Sequence, residues 1–422
     1  MSGRSTTLRA AAEVALGRQR APQHDSGPHM VPYLRAANVK DGVLDLTDVK
    51  EMNFAPSEQQ TFSLRPGDVL ITEGSGSINA VGASAVWRGE IDGVVCFQNT
   101  LLRLRPRDDR ADGRFLEWWA RSTFGSGVFA SIASGANIYH ISAERVRALP
   151  IELSPLEEQR RIADFLDAET SKLARIELLS SRLSCLLGER QASLLSNCFS
   201  SRTTEAGSTL SVNLPLRRVV NRWIDYRGAT PEKTASGVPL VTAKNIRDGK
   251  IDMAASREYI AQDAYSDWMR RGLLMHGDVL LTTEAPLGQV AMVYDPAVAL
   301  AQRVIVLRVD QRFCSPEWLY WYLRSPQGQA ELEIRATGST ALGIKADRLR
   351  GVPIPVLKPA EAKERLAQLQ SQVSQIESLQ GELSRQRALI AERRQALITA
   401  AVTGEFDVST ASGRNVTDGV TA

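Results

Sequence analysis

The chain has 422 residues, more than one hydrophobic core usually serves, so two or more domains are expected. Its hydrophobic fraction of 43% and charged fraction of 23% are typical of a folded protein, and its net charge of +3 permits a nucleic-acid partner without requiring one. Four scattered cysteines without Cys-x-x-Cys spacing, and the absence of a long uncharged apolar stretch or a signal-like amino terminus, argue against a disulfide framework, a zinc site and a membrane span. We therefore expect a cytoplasmic protein with free thiols.

Three segments of the sequence occur twice. Residues 31–42, Val-Pro-Tyr-Leu-Arg-Ala-Ala-Asn-Val-Lys-Asp-Gly, return 207 positions later as Val-Pro-Leu-Val-Thr-Ala-Lys-Asn-Ile-Arg-Asp-Gly at 238–249. Gly-Asp-Val-Leu at 67–70 returns at 277–280, and residues 143–151 return in related form at 346–354. A period this long indicates a duplicated domain rather than a solenoid, whose repeats run about 20–50 residues.

The first part of each copy predicts a mixed α/β domain. Short runs rich in β-forming residues, bounded by Gly, Asp or Pro, are predicted as strands at 69–72, 83–87, 101–104, 279–283, 290–294 and 304–309. Residues 113–122 and 315–325 are predicted to form short helices between them. Within these helices Trp118-Trp119 and Trp321-Tyr322 are interpreted as core residues rather than as platforms for base stacking.

The second part of each copy predicts a long helix. Apolar residues recur every three and four positions, which is the spacing of a coiled-coil seam. A helix of this length cannot bury its apolar stripe alone, and the other copy is the nearest partner, so the two helices are expected to pair antiparallel. The seam is predicted to consist of Ile162, Leu166, Leu173, Ile176, Leu183, Leu187, Leu366, Leu369, Val373, Ile376, Leu383 and Ile390.

No motif for catalysis or for cofactor binding is present. The sequence lacks a phosphate-binding Gly-x-x-x-x-Gly-Lys-Ser/Thr loop and a dinucleotide-binding Gly-x-Gly-x-x-Gly, and its four histidines do not fall at metal-ligand spacing. The acidic residues of the long helices are typical of a solvated helix face. We expect a binding protein without catalytic residues, metal or cofactor.

Residues 149–166, Leu-Pro-Ile-Glu-Leu-Ser-Pro-Leu-Glu-Glu-Gln-Arg-Arg-Ile-Ala-Asp-Phe-Leu, resemble the start of the central helical region in specificity subunits of type I restriction–modification systems. Residues 394–407, which contain Ala-Val-Thr-Gly, are similar to the end of the second helical region of that family. The resemblance spans roughly residues 8 to 408. The chain departs from the pattern at 358–366, where the second helix begins without the glutamine of the opening motif, and at 195–199, where Val-Thr-Gly is missing.

The resemblance implies an α+β fold and a domain order. Target-recognition domains are expected at 1–152 and 216–356, conserved helical regions at 153–200 and 357–404, a linker at 201–215 and a tail at 405–422. In that family each recognition domain reads half of a split target in double-stranded DNA. The paired helices dock two methyltransferase subunits, through which restriction subunits join, and the specificity subunit does no chemistry itself.

Polar residues in the loops are the candidates for DNA contact, because side chains read base edges while Arg and Lys contact phosphates. They are Arg35, Asn38, Lys40, Gln98, Tyr139, His140, Lys244, Asn245, Arg247, Thr283, Gln302 and Lys345. A competing interpretation makes Asn38 and Asn245 local turn formers beside Asp-Gly, and for Gln98 and Gln302 the two interpretations are evenly balanced. Gly67-Asp68 and Gly277-Asp278 are interpreted as turns that begin buried strands.

The two copies differ most in their loops. After the shared Gly-Asp-Val-Leu the first copy continues Thr-Glu-Gly-Ser-Gly at 72–76 and the second Thr-Thr-Glu-Ala-Pro-Leu-Gly at 282–288, and residues 135–140 also differ from 338–343. Two different half-sites, and so an asymmetric target, are therefore expected. The alternatives are a stand-alone DNA-binding regulator, which the mild charge disfavours, a coiled-coil scaffold, which leaves the loops unexplained, and a nuclease, which the missing motifs disfavour.

Overall fold

The computed structural model describes residues 4–200, 212–226, 230–338 and 342–408. Residues 201–211 of the predicted linker (201–215), the loop residues 339–341 and residues 409–422 of the predicted tail (405–422) lie outside the described residues. By its internal contacts the chain divides into two compact units, Met1–Ser180 with Ser384–Ala422 and Ser181–Leu383, called here the first and the second unit.

The first unit begins with a mixed α/β domain. Its strands are β1 (Arg4–Thr7), β2 (Ala12–Leu16), β3 (Met30–Leu34), β4 (Val39–Lys40), β5 (Val43–Leu44), β6 (Lys50–Asn53), β7 (Val69–Thr72), β8 (Gly74–Ser75), β9 (Ser84–Val86), β10 (Cys96–Phe97), β11 (Leu101–Pro106), β12 (Tyr139–His140) and β13 (Pro150–Leu153). Its helices are α1 (Leu8–Ala11), α2 (Pro56–Phe62), α3 (Gly113–Gly125), α4 (Val128–Ile132), α5 (Ala143–Arg147) and the start of α6 (Leu156–Phe199).

Two sheets form the centre of this domain. A four-stranded antiparallel sheet has the order β2-β11-β7-β9, and Leu102 of β11 lies between Leu16 and Ile71 in its register. A three-stranded sheet has the order β10-β3-β6, with β10 parallel to β3. Strand β1 pairs with β13, so the beginning of the repeat is held beside the strand that leads into α6.

The second unit repeats this plan. Its strands are β14 (Val212–Pro215), β15 (Val220–Asp225), β16 (Val238–Val241), β17 (Ile246–Arg247), β18 (Lys250–Ile251), β19 (Tyr259–Ile260), β20 (Val279–Thr282), β21 (Val290–Met292), β22 (Ala299–Leu300), β23 (Val304–Val309) and β24 (Pro353–Val356). Its helices are α7 (Leu216–Val219), α8 (Tyr265–Trp268), α9 (Pro316–Arg324), α10 (Pro326–Arg335), α11 (Ala346–Arg350) and the start of α12 (Pro359–Thr403).

The two central sheets of the second unit match those of the first strand for strand. The four-stranded order is β15-β23-β20-β21, the three-stranded order is β19-β16-β22, and β14 pairs with β24. In both units a parallel pair, β10 with β3 and β22 with β16, stands where the duplicated segments at 31–42 and 238–249 begin. The predicted duplication of a mixed α/β domain is confirmed.

The repeated Gly-Asp turn carries a buried ion pair. Asp68 is buried, accepts a hydrogen bond from the backbone N of Arg65, and receives Nε and Nη2 of Arg105 at 2.8 and 2.7 Å. Asp278 receives the same two atoms of Arg308 at 2.8 Å each. These bidentate hydrogen bonds raise the pKa of both arginines. Each turn is thereby fixed to the central strand of its sheet.

Aromatic residues of α3 and α9 form the cores, as predicted. Trp118, Trp119, Trp321 and Tyr322 are all buried. Trp119 donates its indole N–H to the carbonyl of Pro150 at 3.2 Å, which fixes α3 to β13 and leaves no face of the ring for a nucleic-acid base.

The long helices complete both cores, and they run antiparallel. In the first unit, Ile162 and Leu166 of α6 share one cluster with Leu397 and Ile398 of α12. In the second unit, Leu195 at the end of α6 shares a cluster with residues from the start of α12, namely Leu366, Leu369 and Val373. The expected antiparallel pairing is confirmed.

The predicted seam is wrong at two positions of α6. Ile176 and Leu183 are 48% and 47% exposed, although the other predicted seam residues are buried or half-buried. Past Leu173 the helix turns Glu177 and Ser180 towards α12 instead. Arginines of α12 bind both: Arg394 donates to the Glu177 carboxylate at 2.7 Å, and Arg387 donates to Oγ of Ser180 at 3.3 Å. Apolar spacing alone could not distinguish this polar seam from the adjacent leucine stripe.

The glutamine of the opening motif joins α6 to the domain before it. Gln159 is fully buried, donates to the carbonyls of Arg110 and Ser154 at 2.9 and 2.8 Å, and accepts from the backbone N of Asp112 at 2.9 Å. The matching residue of α12 is Ala362, which lines a cavity of about 560 Å³. The second copy thus has an alanine beside an open pocket where the first copy has the buried glutamine.

Exchanging these two residues tests the role of the glutamine. Gln159→Ala removes the three hydrogen bonds of a fully buried side chain and is expected to lower the free energy of unfolding by about 2–4 kcal/mol. Ala362→Gln places the amide beside the corresponding groups of the second unit and is expected to add about 1 kcal/mol. Urea unfolding measures both, with the exposed Gln386→Ala as control. Equal stability of Gln159→Ala and the control would contradict the assignment.

Candidate nucleic-acid interface

In the first unit the two loops that differ between the copies meet. Strand β8 pairs with β12 in an antiparallel register that sets Ser75 opposite Tyr139 and Gly74 opposite His140. The backbone N of Ile141 donates to the carbonyl of Glu73 at 2.9 Å, and Nδ1 of His140 lies 3.0 Å from Oε2 of Glu73. His140 is exposed and Tyr139 half-buried. The structure therefore brings these two predicted residues together on a loop cluster that also contains Glu73.

The second unit has a corresponding loop cluster. The backbone N of Ile344 donates to the carbonyl of Thr283 at 2.9 Å, as Ile141 does to Glu73 in the first unit. A cleft of about 360 Å³ opens beside this contact. Its lining includes Glu284, Arg303 and the predicted Lys345, which is exposed. A carboxylate and a basic side chain again face each other, because Nε of Arg303 lies 3.1 Å from Oε2 of Glu284.

The duplicated hairpins carry the remaining basic candidates. Arg35 pairs with Asp48, and the exposed Lys40 pairs with Asp45 at 2.7 Å. The hydrogen bond from Lys40 and those from Thr47 hold the pKa of Asp45 below its usual value. In the second unit Lys244 and Arg247 are both exposed. These four side chains are placed where a phosphate could reach them.

Three predicted contact residues are withdrawn, because their side chains are buried. Oδ1 of Asn38 accepts from the backbone N of Arg35 at 3.1 Å, and its Nδ2 donates to the carbonyls of Asp45 and Asp48. Asn245 closes its hairpin in the same way, with four hydrogen bonds. The interpretation of both as local turn formers is the correct one. Thr283 lies under the loop cluster, where its backbone N and carbonyl are both bonded.

Gln98 and Gln302 are half-buried and do not occupy equivalent positions. The backbone N of Gln98 donates to the carbonyl of Leu34 at 2.9 Å, and in the second unit Ala301 makes that bond to Val241. Gln302 is therefore one residue further along its turn. The turn of the first unit connects hairpin and loop cluster, since Thr100 accepts from Ala36 through Oγ1 and from Glu73 through its carbonyl.

Sequence reasoning missed the charged pairs of the loop clusters. Glu73, Glu284 and Arg303 were not among the candidates, although Glu73 and Glu284 follow shortly after matching strands and their carboxylates face the same clusters. The signal available in the sequence was their place directly after a threonine: Glu73 follows Thr72, the last residue of β7, and Glu284 follows Thr283, one residue beyond the end of β20. No sequence pattern pointed to Arg303, because the feature that sets it apart is its positive φ, which only the structure shows.

The described part of the chain gives no indication of a metal site or of a membrane-spanning helix. It holds no group of three or more His, Cys, Asp or Glu side chains arranged to bind a metal ion. All four cysteines are free, and burial raises the pKa of Cys96 and Cys314 to about 12. Among its helices none is both long and apolar enough to cross a membrane.

Comparison with known proteins gives a consistent result across nearly the whole chain. The EcoKI specificity subunit of a type I restriction enzyme from Escherichia coli (strain K12) is 22% identical over 395 residues, which cover 89% of this chain and 82% of the relative. The EcoBI specificity subunit from Escherichia coli is 21% identical over 398 residues, covering 87% and 81%. No family model matches the chain.

Solved structures agree with these relatives. A chain from "Structural basis underlying complex assembly and conformational transition of the type I R-M system" has a TM-score of 0.74 at 19% identity, covering 96% of this chain and 98% of that chain. The HsdS subunit from Thermoanaerobacter tengcongensis has a TM-score of 0.54 at 19% identity, covering 96% and 97%. The chain is similar to type I restriction specificity subunits over nearly its whole length. The structures show the shared fold, and the resemblance to specificity subunits is confirmed.

Asn245 and Arg247 lie in the same hairpin, and we expect the first to stabilise the fold and the second to act at the surface. Asn245→Ala removes four hydrogen bonds and leaves buried groups without partners, so the free energy of unfolding is expected to fall by about 2–4 kcal/mol. Arg247→Ala, two residues later and exposed, is expected to change it by less than about 0.5 kcal/mol. Urea unfolding compares the two. An unaffected Asn245→Ala variant would restore Asn245 to the candidate contacts.

Proposed function

We propose that this chain is the DNA-recognition subunit of a type I restriction–modification system. It reads an asymmetric bipartite target in double-stranded DNA and positions two methyltransferase subunits on it, through which restriction subunits join. The chain itself performs no chemistry. Residues 1–152 and 216–356 are the proposed target-recognition domains, 153–200 and 357–404 the helical regions, and 201–215 and 405–422 the linker and tail.

One observation carries the proposal. The two units share their sheets, their buried Asp–Arg pairs and their hairpin asparagines, and they differ in the loop cluster that stands at the same place in each. A duplicated scaffold with divergent polar loops is what two different half-sites require. The proposed contacts with DNA are Arg35, Lys40, Gln98, Tyr139, His140, Lys244, Arg247, Gln302 and Lys345.

Two half-sites are read together only if their readers are held at a fixed distance and helical phase. Helices α6 and α12 have 44 and 45 residues, and each contributes residues to both units. At about 1.5 Å per residue such a helix is roughly 65 Å long. A continuous helix resists bending, whereas a Gly/Ser linker of that length behaves as a flexible coil.

The methylation pattern of a host genome tests this function directly. With the gene and its methyltransferase present, we expect one methylated motif made of two different half-sites separated by a fixed number of unspecified bases. Long-read methylome sequencing with and without the gene measures it. A palindromic motif, or no gene-dependent motif in an active system, would contradict the proposal.

A leucine stripe on α6 supports the docking of a partner helix. Ile176, Leu179, Leu183 and Leu186 are spaced 3, 4 and 3 residues apart and are 48%, 56%, 47% and 51% exposed. This is the spacing of a coiled-coil stripe. The exposed Arg175 and Arg182 flank it. We expect the methyltransferase subunit to cover the stripe with an amphipathic helix whose flanking residues are acidic.

The corresponding face of α12 is more polar. The positions that match the stripe carry Leu379, Glu382, Gln386 and Leu389. Two of its four apolar residues are therefore replaced, and the two docking faces are unequal. The first methyltransferase subunit should bind at α6 and the second, more weakly, at α12.

Native mass spectrometry with increasing methyltransferase tests this order. We expect a 1:1 complex to accumulate before the 2:1 complex. The Leu179→Glu/Leu183→Glu variant is expected to lose the tighter site, with a rise in its dissociation constant of more than about 100-fold, because two apolar contacts become buried charges. Leu178→Glu, on another face of the helix, is the matched control. Two identical binding steps would refute the inequality, and saturation at 1:1 would refute the second site.

A further inference from the structure

Arg303 has a backbone conformation that its surroundings do not explain. Among the described residues, Asp248 and Arg303 are the non-glycine residues with positive φ, at 52° and 77°. Asp248 precedes Gly249 in the two-residue turn between β17 and β18, where positive φ is the normal geometry. Arg303 lies in the turn between β22 and β23, and left-handed turn positions are usually taken by Gly or Asn.

The repeated scaffold does not require this conformation. Thr100 is the equivalent residue of the first unit, because its carbonyl accepts from Glu73 at 2.9 Å as the carbonyl of Arg303 accepts from Thr283 at 3.1 Å. Thr100 is not among the residues with positive φ. The same turn and the same hydrogen bond are therefore made without strain in the first unit, and the strain at Arg303 is particular to the second.

The strained backbone directs a guanidinium into the loop cluster of the second unit. Arg303 and Glu284 line the cleft of about 360 Å³ together with Thr337, Leu342, Gly343 and Lys345. Their ion pair is open to solvent, with the two side chains 53% and 46% exposed. An exposed ion pair contributes little to stability, so it neither offsets the strain nor resists exchange for another anionic or polar partner. A backbone outlier that stability does not explain is a sign of function.

We propose that Arg303 determines part of the sequence preference of the second unit, by donating both arms of its guanidinium to the edge of a guanine in DNA. This inference rests on the proposed function and adds to it a residue and a base. The planar guanidinium matches O6 and N7 of guanine in the major groove, a geometry that an ammonium group cannot reproduce. Glu284 holds the side chain in the cleft until DNA replaces it, and Lys345 contacts a phosphate nearby.

Three variants of the full chain test this assignment. Arg303→Gly removes the side chain and suits the left-handed backbone, so its thermal midpoint should equal or exceed that of the unchanged protein. Arg303→Lys keeps the charge but loses the paired donors. Lys345→Ala is the control for a phosphate contact. Each is expressed with the methyltransferase subunit for methylome sequencing, and each is purified for binding to duplexes that carry the motif or one base change in it.

Arg303→Gly is expected to lose the preference for guanine at one position of one half-site, and to bind the motif duplex about 10- to 100-fold more weakly. A base change at that position should then cause no further loss. Arg303→Lys should lose the same preference, whereas Lys345→Ala should weaken all duplexes alike and leave the motif unchanged.

Two results would overturn the inference. One is an unchanged motif and unchanged affinity for Arg303→Gly. The other is an equal loss on every duplex, which would make Arg303 a phosphate contact. Absence of any bipartite motif with the unchanged chain in an active complex would instead refute the proposed function, so the two failures are distinguishable.

Discussion

The α/β domain of each unit is buried against both long helices. In the first unit, Ile162 and Leu166 from the start of α6 and Leu397 from the end of α12 lie in the same cluster as Trp118 of α3. A helix of this length with one apolar stripe is not stable alone in water, and a small α/β domain buries only part of its own surface. Each element therefore supplies the apolar surface that the other lacks. The strand pairs β1–β13 and β14–β24 hold the start of each repeat beside the strand before each helix, which adds backbone hydrogen bonds to the same junction.

The pairing of the helices is less apolar than their sequences indicate. Arg394 and Arg387 of α12 donate to Glu177 and Ser180 of α6, where the sequence spacing predicts apolar contacts. Polar contacts within an apolar seam add little stability, but they specify register, because a shifted helix would leave charged groups without partners. This arrangement also leaves the apolar stripe of α6 on the surface. The same helix thus presents one face to its partner in the chain and another to solvent.

The two copies share their anchoring polar groups and differ in their exposed loops. The bidentate pairs Asp68–Arg105 and Asp278–Arg308 anchor matching turns, and Asn38 and Asn245 close matching hairpins. The carboxylates and amides among these groups are buried, so a change at any of them would leave polar groups unsatisfied, and the duplicated sequence has retained them. The loop clusters face solvent and carry no such constraint. Their charged pairs differ accordingly, with His140 opposite Glu73 in one unit and Arg303 opposite Glu284 in the other.

The sequence by itself determined the duplication, the strands around Val69–Thr72 and Val304–Val309, the aromatic cores, the two long helices and the resemblance to specificity subunits. These features follow from local spacing and from motifs, both of which can be read directly from the amino-acid sequence. Only the tertiary structure decided that Asn38, Asn245 and Thr283 are buried, that Ile176 and Leu183 face away from the seam, and that Gln98 and Gln302 are out of register. It alone disclosed the strained Arg303 beside Glu284. The physical reason is that burial, helix rotation and backbone dihedral angles depend on contacts between residues far apart in the chain, and a periodic pattern is compatible with more than one such set of contacts.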